Sequence, residues 1–252
     1  MKIFSFFAVL LIFSTVTARA EAPKTPSDWT FYQKSGEHSA KWDDLVKSGF
    51  ESYDGGHMAT AMIFFRKAFD SGCRDPLVLT KLGLSVEAKN DFERAASYFI
   101  EAARRFPFVY PSHPDAVHIN EHAGRALYQL GRFNEAVPYL ESALQKDPEN
   151  FMLLFMTAQI LRSQKKVDEA MARFQKALTL PPPKGVNQPQ LAIYRELTAL
   201  AFETGDYDGC LKYADQLLTL NPNDSIALSF RDRAKQKLYE KREREVLEKI
   251  TQ

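Results

Sequence analysis

Two adjoining stretches decide the fold: VHINEHAGRALYQLGRFNEAVPYLESALQKDPEN, residues 117–150, and FMLLFMTAQILRSQKKVDEAMARFQKALTLPPPK, residues 151–184. At an offset of 34, Gly124 falls on Ala158, Leu127 on Leu161, Phe133 on Val167 and Ala136 on Ala170. The register continues through Leu140 and Phe174, Ala143 and Ala177, and Pro148 and Pro182. Small, apolar and proline positions that agree at one fixed spacing of about 20–50 residues mark a repeat architecture. Within 117–150 an apolar stripe closes at Leu127 and Leu130, and Gly131 interrupts it. A second stripe follows at Phe133, Ala136, Val137, Leu140 and Ala143, with the three- and four-residue steps of a helix. Gly131-Arg132-Phe133 predicts the turn, because glycine readily takes the left-handed conformation that ends a helix. Lys146-Asp147-Pro148 predicts the end of the second helix, since proline disfavours helix in the residue before it. Each unit therefore reads as a helix pair, with Gly124, Ala136 and Ala143 small where backbones must approach.

The same register extends in both directions. Gly49, Ala61, Phe65 and Ala68 stand one period before Gly83, Ala95, Phe99 and Ala102, and Pro107 corresponds to Pro148. Tyr207, Cys210, Ala214, Leu217 and Pro222 continue it forwards. The units are 42–75, 76–109, 117–150, 151–184 and 191–224, with insertions at Tyr110–Ala116 and Gly185–Gln190. Turns are expected at Gly55-Gly56, Asn90-Asp91, Gly131, Lys165-Lys166 and Gly205-Asp206; the fourth has lysine where glycine is usual. Asp224 or Ser225 can cap a last helix. In that helix Ile226, Phe230, Ala234 and Leu238 are expected to cover the apolar end of the array, as terminal repeats require. Beyond Lys241 the helix is nearly all charged and solvated, apart from a small patch of Val246, Leu247 and Ile250 that offers a route to a homodimer.

This arrangement resembles the tetratricopeptide repeat family over residues 42–224, or 183 of the 252 residues. The best motifs are Gly124 through Gly131 to Ala136 and Pro148, and Leu82-Gly83 through Ala95, Phe99 and Pro107. Departures are Cys73 at a unit-ending proline position, and Ser52, Thr198 and Cys210 at core positions. The resemblance implies an all-α, right-handed superhelical solenoid of about five helix-turn-helix units plus a C-terminal capping helix. It also implies a concave groove, lined by first helices, that binds a protein or extended peptide. The fifth, ninth and twelfth residues of each unit would line it: Val46, Phe50, Tyr53; Thr80, Leu84, Glu87; Glu121, Arg125, Tyr128; Phe155, Gln159, Arg162; Arg195, Ala199, Phe202. These mix aromatics with arginines, types enriched at binding hot spots. With Val46 and Phe50 in the first unit, the lysine and asparagine of the subclass that clamps a terminal carboxylate are missing.

The first twenty residues differ from the rest. Lys2, an apolar run from Ile3 to Phe13, and Ala18-Arg19-Ala20 form the pattern of a secretory signal peptide cleaved after Ala20. The run is shorter than the roughly 20 residues of a membrane span, and no cysteine precedes Cys73 for lipid attachment. The expectation is a periplasmic or secreted protein with no integral membrane span after cleavage. Removing Lys2 and Arg19 leaves 33 − 2 = 31 basic against 32 acidic residues, so no net field recruits nucleic acid. Residues 21–41 contain Pro23 and Pro26 and many polar residues, and read as an irregular arm or linker whose Trp29, Phe31 and Tyr32 pack on the first helices.

One constellation points to chemistry. His118-Ile119-Asn120-Glu121-His122 reads as H-x-x-E-H, with both histidines on one helix face, Glu121 as base and His113 as a third metal ligand. A metal-dependent hydrolase is thus one alternative function, and a self-associating structural protein using the C-terminal helix is another. A repeat array, however, offers no dedicated catalytic pocket, and the leading reading is a non-enzymatic scaffold or adaptor without cofactor that assembles an envelope or secretion complex. No phosphate-cradling glycine loop, CxxC pair or G-x-S-x-G elbow occurs. Cys73 and Cys210 fall at opposite ends of the array, beyond the roughly 7 Å Cα separation a disulfide allows.

Overall fold

In the computed structural model, residues 27–181 and 189–251 are described. The expected signal peptide, the start of the arm, Pro182 and most of the second insertion lie outside them. The described chain folds into twelve helices without strands. After a short α1 (Asp28–Ser35), five helix pairs follow in order: α2 (Asp43–Asp54) with α3 (Met58–Asp70), α4 (Pro76–Glu87) with α5 (Phe92–Val109), α6 (Asp115–Gln129) with α7 (Phe133–Lys146), α8 (Phe151–Ser163) with α9 (Val167–Leu178), and α10 (Pro189–Glu203) with α11 (Tyr207–Leu220). The 27-residue α12 (Ser225–Thr251) closes the array. It is an all-α tetratricopeptide-type solenoid.

Local chemistry sets the helix starts. Asp75, Asp91, Asn150 and Asp206 each cap a helix by accepting a backbone N–H with the side chain. Asp224, the first of the two expected caps, does the same for α12, accepting from Ile226 and Ala227. The turns inside the pairs use the left-handed region: Gly56, Gly131 and Gly205 at φ 78°, 70° and 78°, and Asn90 and Lys165 at φ 59° and 61°. Lysine at 165 thus makes the same turn that glycine makes elsewhere.

Packing inside a pair explains the small residues. A Cβ on Gly49 would lie 2.4 Å from Phe65, on Gly83 2.4 Å from Phe99, and on Gly124 2.6 Å from Leu140. In these three pairs the first helix therefore seats the large residue of its partner directly on its backbone. The interior is one continuous apolar cluster from Tyr32 to Leu200, extended under α12 by Ala201, Cys210 and Ala234 and by Ala214, Leu217 and Ala227.

Four expectations need correction. The arm is not irregular throughout, since Asp28–Ser35 is helical with Ser27 as its cap. Pro107 does not end α5 but lies inside its last turn, where its missing N–H leaves the Ala103 carbonyl without an intrahelical donor and the helix ends two residues later at Val109. Both insertions are partly helical: α6 begins at Asp115 and α10 at Pro189. The packed face of α12 is Ala227, Phe230 and Ala234, leaving Ile226 44% exposed. Cys73 and Cys210 are both buried and free. Among the described residues no helix is long and apolar enough to cross a membrane.

Candidate functional site

The first helices, α2, α4, α6, α8 and α10, lie side by side along the inner face, because each contributes its small-residue stripe to its own partner helix. Their remaining faces carry the side chains expected to meet a ligand. The structure joins many of these to one another across unit junctions. Arg125 Nε donates to Glu87 Oε1 at 3.1 Å, and Arg125 Nη2 to Glu87 Oε1 and Oε2 at 2.9 and 3.0 Å. Glu121 approaches the same guanidinium from within α6, at 3.9 Å. The Tyr128 hydroxyl donates to Gln159 Oε1, and Arg162 pairs with Glu196 and, at 3.4 Å, with Glu203. Arg195 donates to Asp224 at 2.9 and 2.6 Å and so braces the cap of α12. One polar link therefore crosses each junction from α4 onwards. Glu121, Arg125, Tyr128, Phe155, Gln159, Arg162 and Phe202 are partly exposed, Arg195 is exposed and Ala199 is buried.

The first two units present a different surface, because α1 packs there. Trp29 stacks on Tyr32 with centroids 5.7 Å apart and lies 6.5 Å from Phe50. Phe31 meets His113 edge-on at 4.4 Å and Tyr110 at 6.4 Å. The Tyr32 hydroxyl donates to Asp43 at 2.7 Å. Asp28 anchors the helix: it pairs with Lys81 of α4 at 2.7 Å and accepts from His113 Nε2 at 3.2 Å. Burial pushes the Asp28 carboxyl up, but the His113 and Lys81 contacts outweigh it and hold the group below the usual carboxylate range. Lys81 also lies 4.6 Å over the Tyr53 ring. Val46, Phe50 and Thr80 are consequently core, and Thr80 donates to the Pro76 carbonyl. Of the residues expected to line the groove in these units, Tyr53, Leu84 and Glu87 stay partly exposed. Behind this contact Asp75 is buried and accepts from the Tyr110 hydroxyl at 2.5 Å; burial pushes its carboxyl up to about 6.

His118, Glu121 and His122 do not form the convergent metal set that their spacing permits. His118 points to solvent, 61% exposed and 3.9 Å from Glu121. His122 stacks on Phe99 at 5.1 Å, and its Nδ1 lies 3.2 Å from Arg125 Nη2. Burial and then the adjacent guanidinium press its pKa down to about 4, so near neutral pH it is an uncharged acceptor. His113 is drawn towards α1. The group of metal-ligand type whose atoms converge among the described residues is Asp28, His113 and Asp115, within 4.8 Å. Both His113 nitrogens are engaged there: Nε2 donates to Asp28, and Nδ1 accepts the Asp115 backbone N–H at 3.1 Å. The Lys81 ammonium already neutralises Asp28, so the arrangement is an internal ion pair and hydrogen-bond chain.

Sequence periodicity did not single out Lys81, Glu196, His122 or Asp28 as members of this face. Glu196 and His122 adjoin Arg195 and Glu121 in the sequence, but one residue is about 100° around a helix, so the register assigned them to a different face. Asp28 carried no signal, since its partners lie 53 and 85 positions away.

The comparisons agree with this geometry. The tetratricopeptide repeat family profile matches residues 122–184. The anaphase-promoting complex subunit CDC16 of Saccharomyces cerevisiae is 26% identical over 119 residues, 47% of this chain but 14% of that protein. Among solved structures, YrrB, described as a tetratricopeptide repeat protein with an unusual peptide-binding site, superposes with a TM-score of 0.59 at 16% identity, covering 76% of this chain and 92% of that one. MamA of Desulfovibrio magneticus RS-1 gives 0.54 at 15% identity over 75% and 99%, and PilF of Pseudomonas aeruginosa 0.53 at 18% over 77% and 82%. With the profile match on its central units and the same helix pairs on either side, this chain resembles the tetratricopeptide repeat family and has its fold, one that supports a scaffold for protein–protein interaction.

Proposed function

We propose that the chain is an exported, non-enzymatic adaptor that holds an extended segment of a protein partner on the inner face of α6, α8 and α10, in the periplasm, during assembly of an envelope or secretion complex. One observation carries the placement: α1 takes up the inner surface of the first two units, whereas the aromatic and arginine side chains from Glu121 to Phe202 keep partial exposure. Rigid aromatics and arginines are the types that supply most binding energy at protein interfaces. The polar links between units do not prevent this, because Arg125, Arg162 and Arg195 keep 34%, 34% and 44% of their side-chain surface exposed while paired. Export rests on the Lys2, Ile3–Phe13 and Ala18-Arg19-Ala20 pattern alone.

Two measurements test the reading. A photocrosslinking amino acid placed at Gln159 or Arg195 is expected to trap a partner in intact cells, while the same probe at the exposed Ala172 of the outer helix α9 is not. Trapping from Ala172 alone would place the partner on the other face and sink the groove assignment. Edman sequencing of the protein from a periplasmic fraction should begin at Glu21; a chain recovered in the cytoplasm with residues 2–20 intact would reject export.

A further inference from the structure

Where α2 ends, a cleft of 870 Å³ opens between α3 and α4. Its apolar walls are Met58, Met62 and Ile63 on one helix and Leu84 and Ala88 on the other, with Tyr53 at its side. Met58 is 49% and Ile63 56% exposed, which is uncommon for such residues so near a packed interface. Arg66, Lys67, Lys81 and Lys89 line the same cleft, and no carboxylate does. Arg66 is committed to Asp70 and the Tyr98 hydroxyl, and Lys81 to Asp28. Lys67 and Lys89 have no acidic partner among the described residues.

We propose that this cleft docks an amphipathic helix of a protein partner, apolar on one side and flanked by acidic residues. The proposal rests on the adaptor reading and names the chemistry of what the adaptor takes. The two walls run antiparallel with residues spaced three and four apart, so they present a trough of the kind that receives a third helix through anchors at i, i+3, i+4 and i+7. Two methionines in the wall suit a partner of imperfect fit, since the thioether side chain is unbranched and polarizable. The charge is one-sided, and complementary charge sets specificity and encounter rate. The chain itself shows the preferred pairing. The short helix α1 brings its Asp28 carboxylate to Lys81 at one end of the cleft, with Trp29 and Tyr32 packed on the adjoining aromatic surface. A partner helix lying along the trough would supply Lys67 and Lys89 with the acids they lack.

The test uses the full mature chain and two labelled peptides followed by fluorescence anisotropy. One is an amphipathic helix with leucine and methionine on one face and glutamate along its flanks; the other has lysine at every glutamate position. The glutamate peptide is expected to bind, and the lysine peptide to bind at least about tenfold more weakly. Ile63→Glu, and separately Lys67→Glu with Lys89→Glu, should each weaken the glutamate peptide at least about tenfold while leaving the thermal midpoint unchanged. Equal binding of the two peptides, or glutamate-peptide binding indifferent to both variants, overturns the proposal. So does absence of peptide binding together with Ile63-dependent binding to vesicles of phosphatidylcholine and phosphatidylglycerol, which would assign the cleft to a membrane surface. None of these failures touches crosslinking from Gln159 or Arg195, so the adaptor reading stands or falls separately.

Discussion

Lys165 occupies a position that costs an L-residue about 1–2 kcal/mol, because its φ of 61° brings Cβ against the following carbonyl oxygen. Glycine escapes that strain but loses more freedom on folding, by about 0.4–1 kcal/mol. Lys165→Gly is therefore expected to stabilise the chain by about 0.5–1 kcal/mol, read from urea unfolding. Gly124 poses the opposite case. Alanine there gains about 1 kcal/mol of helix propensity, but its Cβ would lie 2.6 Å from Leu140 Cδ2 and 3.1 Å from the Leu140 backbone nitrogen. Backbone cannot swing aside, so overpacking of about 1–3 kcal/mol outweighs the gain and Gly124→Ala should lower the unfolding midpoint. His122 links stability to acidity. Its pKa is depressed to about 4 in the fold, against about 6.5 in the unfolded chain. Unfolded protein then binds the extra proton first, so the stability His122 contributes is complete above pH 6.5 and drains away as pH falls to about 4, by at most about 3 kcal/mol. Asp75 acts with the opposite sign: its carboxyl, raised to about 6, makes stability decline as pH climbs from about 4 to 6. The two slopes overlap, so each is measured as the difference between wild type and His122→Phe or Asp75→Asn across pH 4–7.

Helix α1 has eight residues, too short to persist alone in water, where about 12–15 are marginal. Its order comes from Phe50, Lys81, Tyr110 and His113, and the ion pair to Lys81 is its strongest tie, with side chains only 10% and 20% exposed. Breaking one side of such a pair costs about 3–5 kcal/mol, more than so short a helix can retain. Lys81→Met should thus release α1 without melting the array: Trp29 emission, recorded in a Trp42→Phe background, shifts to the red, and amide exchange quickens over residues 28–35 alone. An unshifted spectrum would show that aromatic packing suffices. This element was only half legible in the sequence. The aromatic cluster of Trp29, Phe31 and Tyr32 announced packing on the first helices, but eight residues span barely two turns and carry no period to read. Pro107 misled for a related reason. In one unit proline follows the helix and in another it sits inside the last turn, and spacing alone does not tell these apart. The helix pairs themselves were legible because the same physical demand recurs in the first three: Gly49, Gly83 and Gly124 must be bare where Phe65, Phe99 and Leu140 press on them.

Across the whole molecule, the repeat register predicted the architecture, while the state of the inner face escaped it. Position within a unit indicated which side chains face inwards. It could not show that Glu87 already holds Arg125 or that Arg162 holds Glu196, since those pairings join separate units. The capping helix makes a further prediction at this scale. Its far end exposes Val246, Leu247 and Ile250 by 55%, 61% and 74%, a patch well short of the three or more heptads a stable coiled coil needs. Truncation after Lys241 is expected to leave the sedimentation mass unchanged; a fall by half would reveal a dimer built on that end. Ala234→Asp, by contrast, puts an unpaired charge against Ala201 and Cys210 and should unfold the last unit first, because each unit leans only on its neighbours. The inner-face links carry one more consequence, a mechanical one. When a superhelix is pulled open, its inner edge lengthens most, and that is where Glu87–Arg125, Tyr128–Gln159, Arg162–Glu196 and Arg195–Asp224 span from one helix to the next. They act as a row of short tethers along the strained side of a spring. Concentrated salt slackens ionic tethers, so the coil should lengthen in high salt, and least at the junction of α2 with α4, where α1 straddles the gap by packing on Phe50 and pairing with Lys81.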